Sequence, residues 1–271
     1  MTDIRYDNLD WNQLWKAAKQ RKSWKSKKVN DWNERADSFA KRTANSIYVQ
    51  QVIDSLAPQA DWTLLDVGCG PGTLGLPLAE KVAQVTGLDF SPRMLEIFEQ
   101  RRSALHLNNI ALQQLAWDDD WEAAGVGPHD VVLASRSMAV KDLRKSLEKL
   151  TRMALQRVVV TDKVRHGPFD PDAFTAVGRK LENGPDYIYT VNVLYQMGYL
   201  PEVQYIRLEE TMTYESFDDA FTSYAWMFQE MNNEEQGRLL QYLRTITTEE
   251  NGRILLHRRT PPTWAYISWT P

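Results

Sequence analysis

Residues 62–78, WTLLDVGCGPGTLGLPL, constrain the fold of this chain more than any other stretch. A short apolar run ends at Asp66, and a glycine-rich turn, residues 68–72, follows it. Beyond the turn, apolar residues four positions apart, such as Leu74 and Leu78, indicate a helix. A buried strand, a glycine turn and a helix are the order of elements that opens a nucleotide-binding βαβ unit. The glycines let the backbone approach a ligand closely, and the helix N-terminus offers unpaired N–H groups.

Two frames of the glycines must be compared. Residues 70–75 match the dinucleotide pattern G-x-G-x-x-G, which would indicate an NAD(P)-dependent oxidoreductase. In that frame the strand should run directly up to Gly70, but Asp66 and Gly68 interrupt it, and Pro71 removes a donor N–H from the turn. A carboxylate at the mouth of the turn would also repel pyrophosphate, whereas it suits a cationic ligand with hydroxyl or amino groups. The frame D-V-G-C-G-P-G is therefore favoured, and the oxidoreductase is kept as an alternative.

With residues 66–72 the chain resembles the class I S-adenosylmethionine-dependent methyltransferases, whose first motif has the form D-V-G-C-G-x-G. The resemblance implies a Rossmann-like, doubly wound α/β fold with a mostly parallel seven-stranded sheet and helices on both faces. It implies S-adenosyl-L-methionine as cofactor, S-adenosyl-L-homocysteine as product, and in-line transfer of the methyl group. It covers residues 62–163 well and the flanks in outline. It does not specify the acceptor, and a non-catalytic protein that binds the methyl donor as a regulatory ligand is a further alternative.

The resemblance also implies which residues contact the cofactor. Asp89, about 20 residues after the glycine turn, would bind the ribose hydroxyls. Phe90, Ser91 and Met94 would flank the adenosine, and residues just past the third strand would edge the adenine. The cofactor-binding candidates are Asp66, Gly68, Cys69, Gly70, Gly72, Asp89, Phe90, Ser91, Met94, Trp117, Asp118, Ser135 and Arg136.

Several of these residues have a simpler structural interpretation. Ser91 and Pro92 suit the N-cap and first position of a helix, so Asp89 could be incidental to a capping turn. The three acids at 118–120 could cap the next short helix. Arg136, past the end of the fourth strand, could bind an acceptor's carboxylate or phosphate, or could pair with a neighbouring acid.

We expect a single domain, 1–271, with four parts. They are an N-terminal helical cap (1–60), the cofactor-binding core (61–163), a lid and helical insertion (164–250) and closing strands (251–271). Helices are expected at 9–28, 31–57, 171–180, 187–197, 216–231 and 234–246, and strands at 84–88, 110–116, 129–134, 155–163 and 203–208. One of two strand-like pieces, 254–256 or 264–269, should return to the sheet as its antiparallel strand.

Composition limits the partners and the compartment. A net charge of −4 argues against a general nucleic-acid binder. The single cysteine, Cys69, excludes an intramolecular disulfide and a multi-cysteine zinc site, and it fits a reducing cytoplasm. There is no signal peptide and no apolar run of the roughly 18 residues that a membrane span needs. We expect a cytoplasmic protein with a small-molecule acceptor and no metal.

The N-terminal segment carries seven cations without an intervening acid: Lys16, Lys19, Arg21, Lys22, Lys25, Lys27 and Lys28. They form either a solvated helix face or a flap that attracts an anionic substrate or partner. Four of the ten tryptophans lie in the first 32 residues. Packing of the N-terminal helices explains them more simply than an aromatic wall around a sulfonium.

No motif identifies a catalytic residue. An acidic acceptor needs little base, whereas a less acidic alcohol needs one. Of the four histidines, only His166 follows the C-terminal end of an expected strand, where ligands of open α/β sheets bind. It is the one weak candidate for a general base.

Overall fold

The structure of this protein is a computed structural model that describes residues 5–22, 28–43, 46–208 and 211–271. The strands in these ranges are β1 (Thr63–Val67), β2 (Gln84–Asp89), β3 (Ile110–Gln114), β4 (His129–Ser135), β5 (Ala154–Lys163), β6 (Glu202–Arg207), β7 (Thr211–Tyr214), β8 (Thr247–Glu250), β9 (Arg253–His257) and β10 (Thr263–Trp269). The helices are α1 (Trp11–Arg21), α2 (Val29–Thr43), α3 (Ile47–Leu56), α4 (Gly75–Ala79), α5 (Pro92–Ala104), α6 (Leu143–Arg152), α7 (Pro171–Val177), α8 (Tyr187–Gln196), α9 (Phe217–Ala225) and α10 (Asn233–Thr245).

The main layer is a seven-stranded sheet in the order β3-β2-β1-β4-β5-β10-β6. The first five strands in this order are mutually parallel, and β10 is antiparallel to both of its neighbours. This arrangement confirms the expected doubly wound, mostly parallel sheet with one antiparallel strand returning from the C-terminal segment. The carboxyl ends of β1, β2, β4 and β5 therefore meet at one edge, where such folds bind ligands.

Alternate residues of each strand pack against opposite layers of helices, as the pleat requires. In β4, Val132 and Ala134 face a core shared with α1, α6 and α8, whereas Val131 and Leu133 face a core shared with α3, α4 and α5. All four side chains are fully buried. This strand is apolar throughout because it is a central parallel strand that is covered on both faces.

A second, smaller sheet, β7-β9-β8, lies outside the main one and is antiparallel. It packs with α7, α9 and α10 around a separate apolar cluster that includes Phe174, Tyr224 and Leu239. The strand-like piece at 254–256 belongs to this sheet as part of β9, and the piece at 264–269 is the one that joins the main sheet. Segments 164–186 and 208–262 therefore build one unit beside the core.

Several helix boundaries differ from the sequence-based expectation. Ser46 caps α3 by accepting from the Tyr48 N–H, so the expected helix at 31–57 is two helices. The helix expected at 216–231 ends at Ala225, and the one expected at 9–28 ends at Arg21. Within the basic segment, Trp24, Lys25 and Lys27 lie outside the described residues.

The helix after the glycine turn is only one turn long. The Asn109 side chain donates to the carbonyls of Ala79 (2.7 Å) and Val82 (3.2 Å), which closes α4 early. Because α4 is so short, the backbone of the adjoining glycine turn is the main source of N–H donors at this edge of the sheet. No helix in the described part of the chain is long and apolar enough to cross a membrane.

Candidate cofactor and acceptor site

The glycine turn is fastened to the end of the neighbouring strand. The backbone N–H groups of Gly68 and Cys69 both donate to the carbonyl of Leu88, at 2.7 and 3.0 Å. The next N–H along the turn, that of Gly70, donates to the Asp89 carboxylate at 2.8 Å. The two sequence motifs, separated by about one βα unit, thus form one hydrogen-bonded surface at the carboxyl edge of the sheet.

The three glycines of the turn have different reasons to be glycine, although all have positive φ. A Cβ on Gly68 would lie 2.5 Å from the Cβ of Ser137, and a Cβ on Gly72 would lie 2.6 Å from the Phe98 ring. Gly70 differs, because the nearest atom to its Cβ position is the Met94 sulfur at 4.0 Å. A Cβ on Gly68 or Gly72 would therefore clash within the protein, whereas the buried Gly70 has room for one beside the Met94 sulfur.

The Asp89 carboxylate is nearly buried and is held by backbone donors. One oxygen accepts from Gly70 N–H and the other from Ser91 N–H, each at 2.8 Å. Burial raises the pKa of Asp89, and these hydrogen bonds oppose the rise by stabilising the ionised form. A carboxylate has about four acceptor sites, so with backbone donors from Ser91, Gly70 and Phe90 one site remains for a ligand hydroxyl.

Asp66 lies beneath the turn and not at its mouth. The side chain is 2% exposed, and among the described residues its Oδ2 has no hydrogen-bond partner. Burial, followed by the nearby Asp89 charge, raises the pKa of Asp66 to about 7. Asp66 is thus a buried acid at the end of β1, next to the turn, and its contact with the cofactor stays a prediction.

Cys69 is buried against β2. Burial, reinforced by the charges of Asp66 and Asp89, raises the pKa of the Cys69 thiol well above its usual range. Its sulfur would lie 3.0 Å from a Cβ at Gly87. The thiol is therefore a small packing group and not a nucleophile.

Helix α5 begins next to Asp89 with the predicted cap. Ser91 accepts from the Met94 N–H at 3.2 Å, and Pro92 occupies the first helical position. The Ser91 hydroxyl also donates to Asn33 of α2 at 2.7 Å. Met94 is buried against Ala36 and Ala40 of α2, whereas Phe90 is only half-buried. The N-terminal helices therefore lie directly against the Asp89 side of the site.

Trp117 and Asp118 lie just past β3, as expected. The Trp117 indole donates to the carbonyl of Ser137 at 3.1 Å, which links the turn after β3 to the loop after β4. The Asp118 side chain is exposed and pairs with Lys141 at 2.5 Å. Trp117 is therefore half-buried between two loops of this edge, and the cofactor contacts of Trp117 and Asp118 stay predictions.

The end of β4 is built around Tyr48 of α3, which the sequence did not single out. Its buried hydroxyl lies 2.6 Å from both the Ser135 and the Thr161 hydroxyls, bridging β4 and β5. The Arg136 guanidinium lies over the Tyr48 ring, 4.1 Å from its centroid, and 5.6 Å from the Trp264 ring centroid. No motif marks Tyr48, Thr161 or Trp264, so only their convergence in space reveals them.

The end of β5 and the loop that follows it carry two further polar side chains, Asp162 and His166. Burial raises the pKa of Asp162 to about 6, and its carboxylate accepts from Thr190 at 3.1 Å. His166 is half-buried, with Nδ1 2.9 Å from the Asn183 amide nitrogen. Among the described residues, no group of three or more His, Cys, Asp or Glu side chains is placed to hold a metal ion.

Helix α1 extends across the same edge of the sheet. Trp15 is buried in the main core, and the Lys19 ammonium donates to the Val140 carbonyl in the loop after β4. Lys22, at the end of the helix, has its pKa lowered by burial and by the charges of Lys19 and Lys163. These tryptophan and lysine side chains thus bring the basic segment to the site.

A model of the methyltransferase domain family matches residues 58–194, which contain β1 to β5 and the glycine turn. The chain belongs to this methyltransferase family. A Haemophilus influenzae protein described as uncharacterized is 35% identical over 208 residues, which cover 76% of this chain and 77% of the relative. As a class I member, the protein is an S-adenosylmethionine-dependent methyltransferase.

Two solved structures share the methyltransferase fold. The Bacillus subtilis YcgJ protein superposes with a TM-score of 0.55 and 15% identity, covering 82% of this chain and 97% of that one. Coclaurine N-methyltransferase, solved with N-methylheliamine and S-adenosylhomocysteine, gives a TM-score of 0.51 at 13% identity and covers 99% and 95% of the two chains. The comparisons give no support to an NAD(P)-dependent oxidoreductase or to a non-catalytic binding protein.

The site of this methyltransferase fits S-adenosylmethionine on its own geometry. Asp89 retains acceptor capacity for a ribose hydroxyl, and Gly70, which donates to it, has no side chain to block a nucleoside. When bound, S-adenosylmethionine supplies a methyl group on a sulfonium, which is an activated leaving group.

Proposed function

We propose that this methyltransferase acts on a small molecule, held between the N-terminal helices and the loop after β5. The observation that carries the proposal is that helices cover the carboxyl edge of the sheet from the N-terminal side. Ser91 bonds to Asn33 of α2, and Lys19 of α1 reaches the Val140 carbonyl after β4. A covered edge suits a small acceptor and excludes water from the reacting atoms.

The proposed cofactor contacts follow from the geometry of the edge. Asp89 would bind the ribose hydroxyls, Phe90, Met94 and Trp117 would border the adenine, and the Gly70 backbone would face the nucleoside. Asp66, Gly68, Cys69 and Gly72 would hold the turn in shape, because each is packed within the protein. For Asp118 to contact the adenine amino group, it would have to leave Lys141.

The chain's own contribution to the reaction is orientation. Positioning of acceptor and methyl group in line, with water excluded, lowers the barrier without acid or base chemistry. For a weakly acidic acceptor, His166 is the candidate base: when Nδ1–H donates to the Asn183 side-chain oxygen, 3.2 Å away, Nε2 carries no proton and can accept one from the substrate. A His166→Ala variant with an unchanged pH–rate profile would remove this role.

The proposal is tested with S-adenosylmethionine labelled in its methyl group. The protein is incubated with a bacterial extract separated into a low-molecular-weight ultrafiltrate, an RNA fraction and a protein fraction. We expect label in the ultrafiltrate, with S-adenosylhomocysteine formed in equal amount. Transfer of label to the RNA or protein fraction instead would contradict a small-molecule acceptor, and Asp89→Ala provides the inactive control.

A further inference from the structure

The Arg136 guanidinium is held by aromatic rings, and among the described residues no acid forms an ion pair with it. It lies against the Tyr48 and Trp264 rings, and among the described residues no carboxylate pairs with it. The side chain is half-buried, so its donors are neither fully solvated nor satisfied by the protein. A guanidinium has five N–H donors arranged to match a carboxylate or phosphate. Among the described residues, a structural ion pair with a neighbouring acid therefore does not explain Arg136.

The backbone of Arg136 is held as firmly as its side chain. Its φ is +52°, in the left-handed region that non-glycine residues seldom adopt. The N–H donates to both the carbonyl (3.2 Å) and the hydroxyl (3.0 Å) of Thr161. The Tyr48 ring beneath the guanidinium is itself fixed by Ser135 and Thr161. Such conformations persist where their surroundings determine them, and they cluster at functional sites.

The surrounding charge favours an anion. Lys163 lies two residues beyond Thr161 and therefore on the same face of β5. Lys22 of α1 lies close enough to Lys19 and Lys163 for their charges to lower its pKa. Asp162 and Asp186 partly offset Lys163. A bound anion would relieve the repulsion among these cations.

Arg136 also lies where a methyl acceptor would bind. The sheet order β2-β1-β4-β5 places the end of β4 two strands from Asp89. Neighbouring strands are about 4.8 Å apart, so the two sites lie roughly 10 Å from each other at the strand ends. Ser137, the residue after Arg136, packs directly on Gly68 of the turn. Arg136 is thus beside the nucleoside site and on the side away from the ribose.

We propose that Arg136 binds a carboxylate or phosphate group of the methyl acceptor, so that the substrate is an anionic small molecule. The inference rests on the small-molecule acceptor proposed above. The guanidinium lies over the Tyr48 and Trp264 rings, and no carboxylate among the described residues takes its N–H donors, which leaves them for two parallel hydrogen bonds to the anion. Arg136 is then the residue that selects charged acceptors over neutral ones.

The test measures binding and needs no turnover. Benzoate, phenyl phosphate and the neutral benzamide are titrated by calorimetry into protein saturated with S-adenosylhomocysteine. We expect at least one of the two anions to bind more tightly than benzamide, and the better anion identifies the group. Arg136→Gln should weaken that binding roughly tenfold or more, and Arg136→Lys should weaken it less, because a lysine keeps the charge but lacks the planar fork. Arg152→Gln, an exposed arginine in the last turn of α6 at the opposite edge of the sheet, is the matched control and should bind as wild type.

A second pair of ligands tests whether Arg136 binds the carboxylate of the cofactor instead of the anion of the acceptor. S-adenosylhomocysteine and 5′-methylthioadenosine, which lacks the amino-acid part, are titrated into the wild type and Arg136→Gln. We expect both affinities to be unchanged by the substitution. A loss for S-adenosylhomocysteine alone would mean that Arg136 binds the cofactor, and would overturn the proposal. It would also be overturned if neither anion bound the wild type, or if Arg136→Gln bound them equally well. A protein that binds the anions but labels RNA would instead refute the small-molecule acceptor.

Discussion

The backbone N–H of Gly70 donates a 2.8 Å hydrogen bond to the Asp89 carboxylate, joining the turn after β1 to the end of β2. The same carboxylate accepts from Ser91 and so also fixes the start of α5. One side chain therefore sets the relative position of two loops, and the ribose of S-adenosylmethionine would use the acceptor sites that these bonds leave.

Replacement of Asp89 by Asn should weaken cofactor binding. An amide has only one acceptor oxygen, so its NH₂ group would face one of the two backbone donors that now bind the carboxylate. We expect roughly a tenfold or greater loss of S-adenosylhomocysteine affinity, measured by calorimetry. Asp130→Asn is the control, since Asp130 accepts from the Thr63 N–H and hydroxyl at the opposite edge of the sheet. It should lose stability and keep the affinity, and equal affinity in Asp89→Asn would contradict the assignment.

The buried Asp66 should make the protein less stable as the pH rises towards neutrality. Its folded pKa of about 7 lies above the unfolded value of 3.8, so between these values the folded state binds the extra proton. The stabilisation is complete below pH 3.8 and is lost as the pH rises through about 7. Asp66→Asn, which stays neutral, should therefore gain in unfolding free energy relative to wild type between pH 5 and pH 8, as measured by urea unfolding. Asp61→Asn, at an exposed site, controls for the loss of one negative charge, and a pH-independent difference for Asp66→Asn would refute the shift.

Gly68 and Gly70 should respond differently to alanine. Gly68→Ala drives a methyl group to 2.5 Å from the Ser137 Cβ, so we expect a large loss of thermal stability. The double variant Gly68→Ala, Ser137→Gly should recover the steric part of this loss. Gly70→Ala meets only the Met94 sulfur at 4.0 Å, so it should cost about 1–2 kcal/mol for its left-handed backbone. It should, however, reduce S-adenosylhomocysteine affinity, because the methyl group enters the proposed nucleoside cradle. An unchanged affinity in Gly70→Ala would remove Gly70 from the site.

The second unit depends on a buried acid. Asp170 is 2% exposed, accepts from the Tyr224 and Tyr242 hydroxyls at 3.0 and 3.1 Å, and lies 3.8 Å from the Arg258 guanidinium. Asp170→Ala leaves Arg258 buried without its counter-ion, and we expect a loss of roughly 3–5 kcal/mol in unfolding free energy. Limited proteolysis should then cleave first within 164–262. Asp218→Ala, in the exposed first turn of α9, should unfold as wild type, and a similar result for Asp170→Ala would show that the ion pair contributes nothing.

The local sequence determined the elements around the cofactor motif. The apolar run of β4, the glycine turn and the Ser91-Pro92 cap depend on residues close together in the chain, and their periodicity and capping chemistry predict them. Boundaries were less accurate because they depend on distant partners. The Ala79 carbonyl at the end of α4, for example, accepts from the Asn109 side chain, 30 residues further along the chain.

The tertiary structure alone decided how the site is assembled. The burial of Asp66 could not be predicted from the sequence, since burial depends on what packs around a residue. Which C-terminal strand entered the main sheet was likewise decided by pairing with β5 and β6, since β9 and β10 have similar apolar patterns. The sequence named Arg136 by its place after β4, but Tyr48, Thr161 and Trp264 follow no motif, because hydrogen bonds and cation–π contacts between distant residues leave no periodic trace. The sequence by itself specified the methyl donor, and the fold brought together the residues from which the charge of the acceptor is inferred.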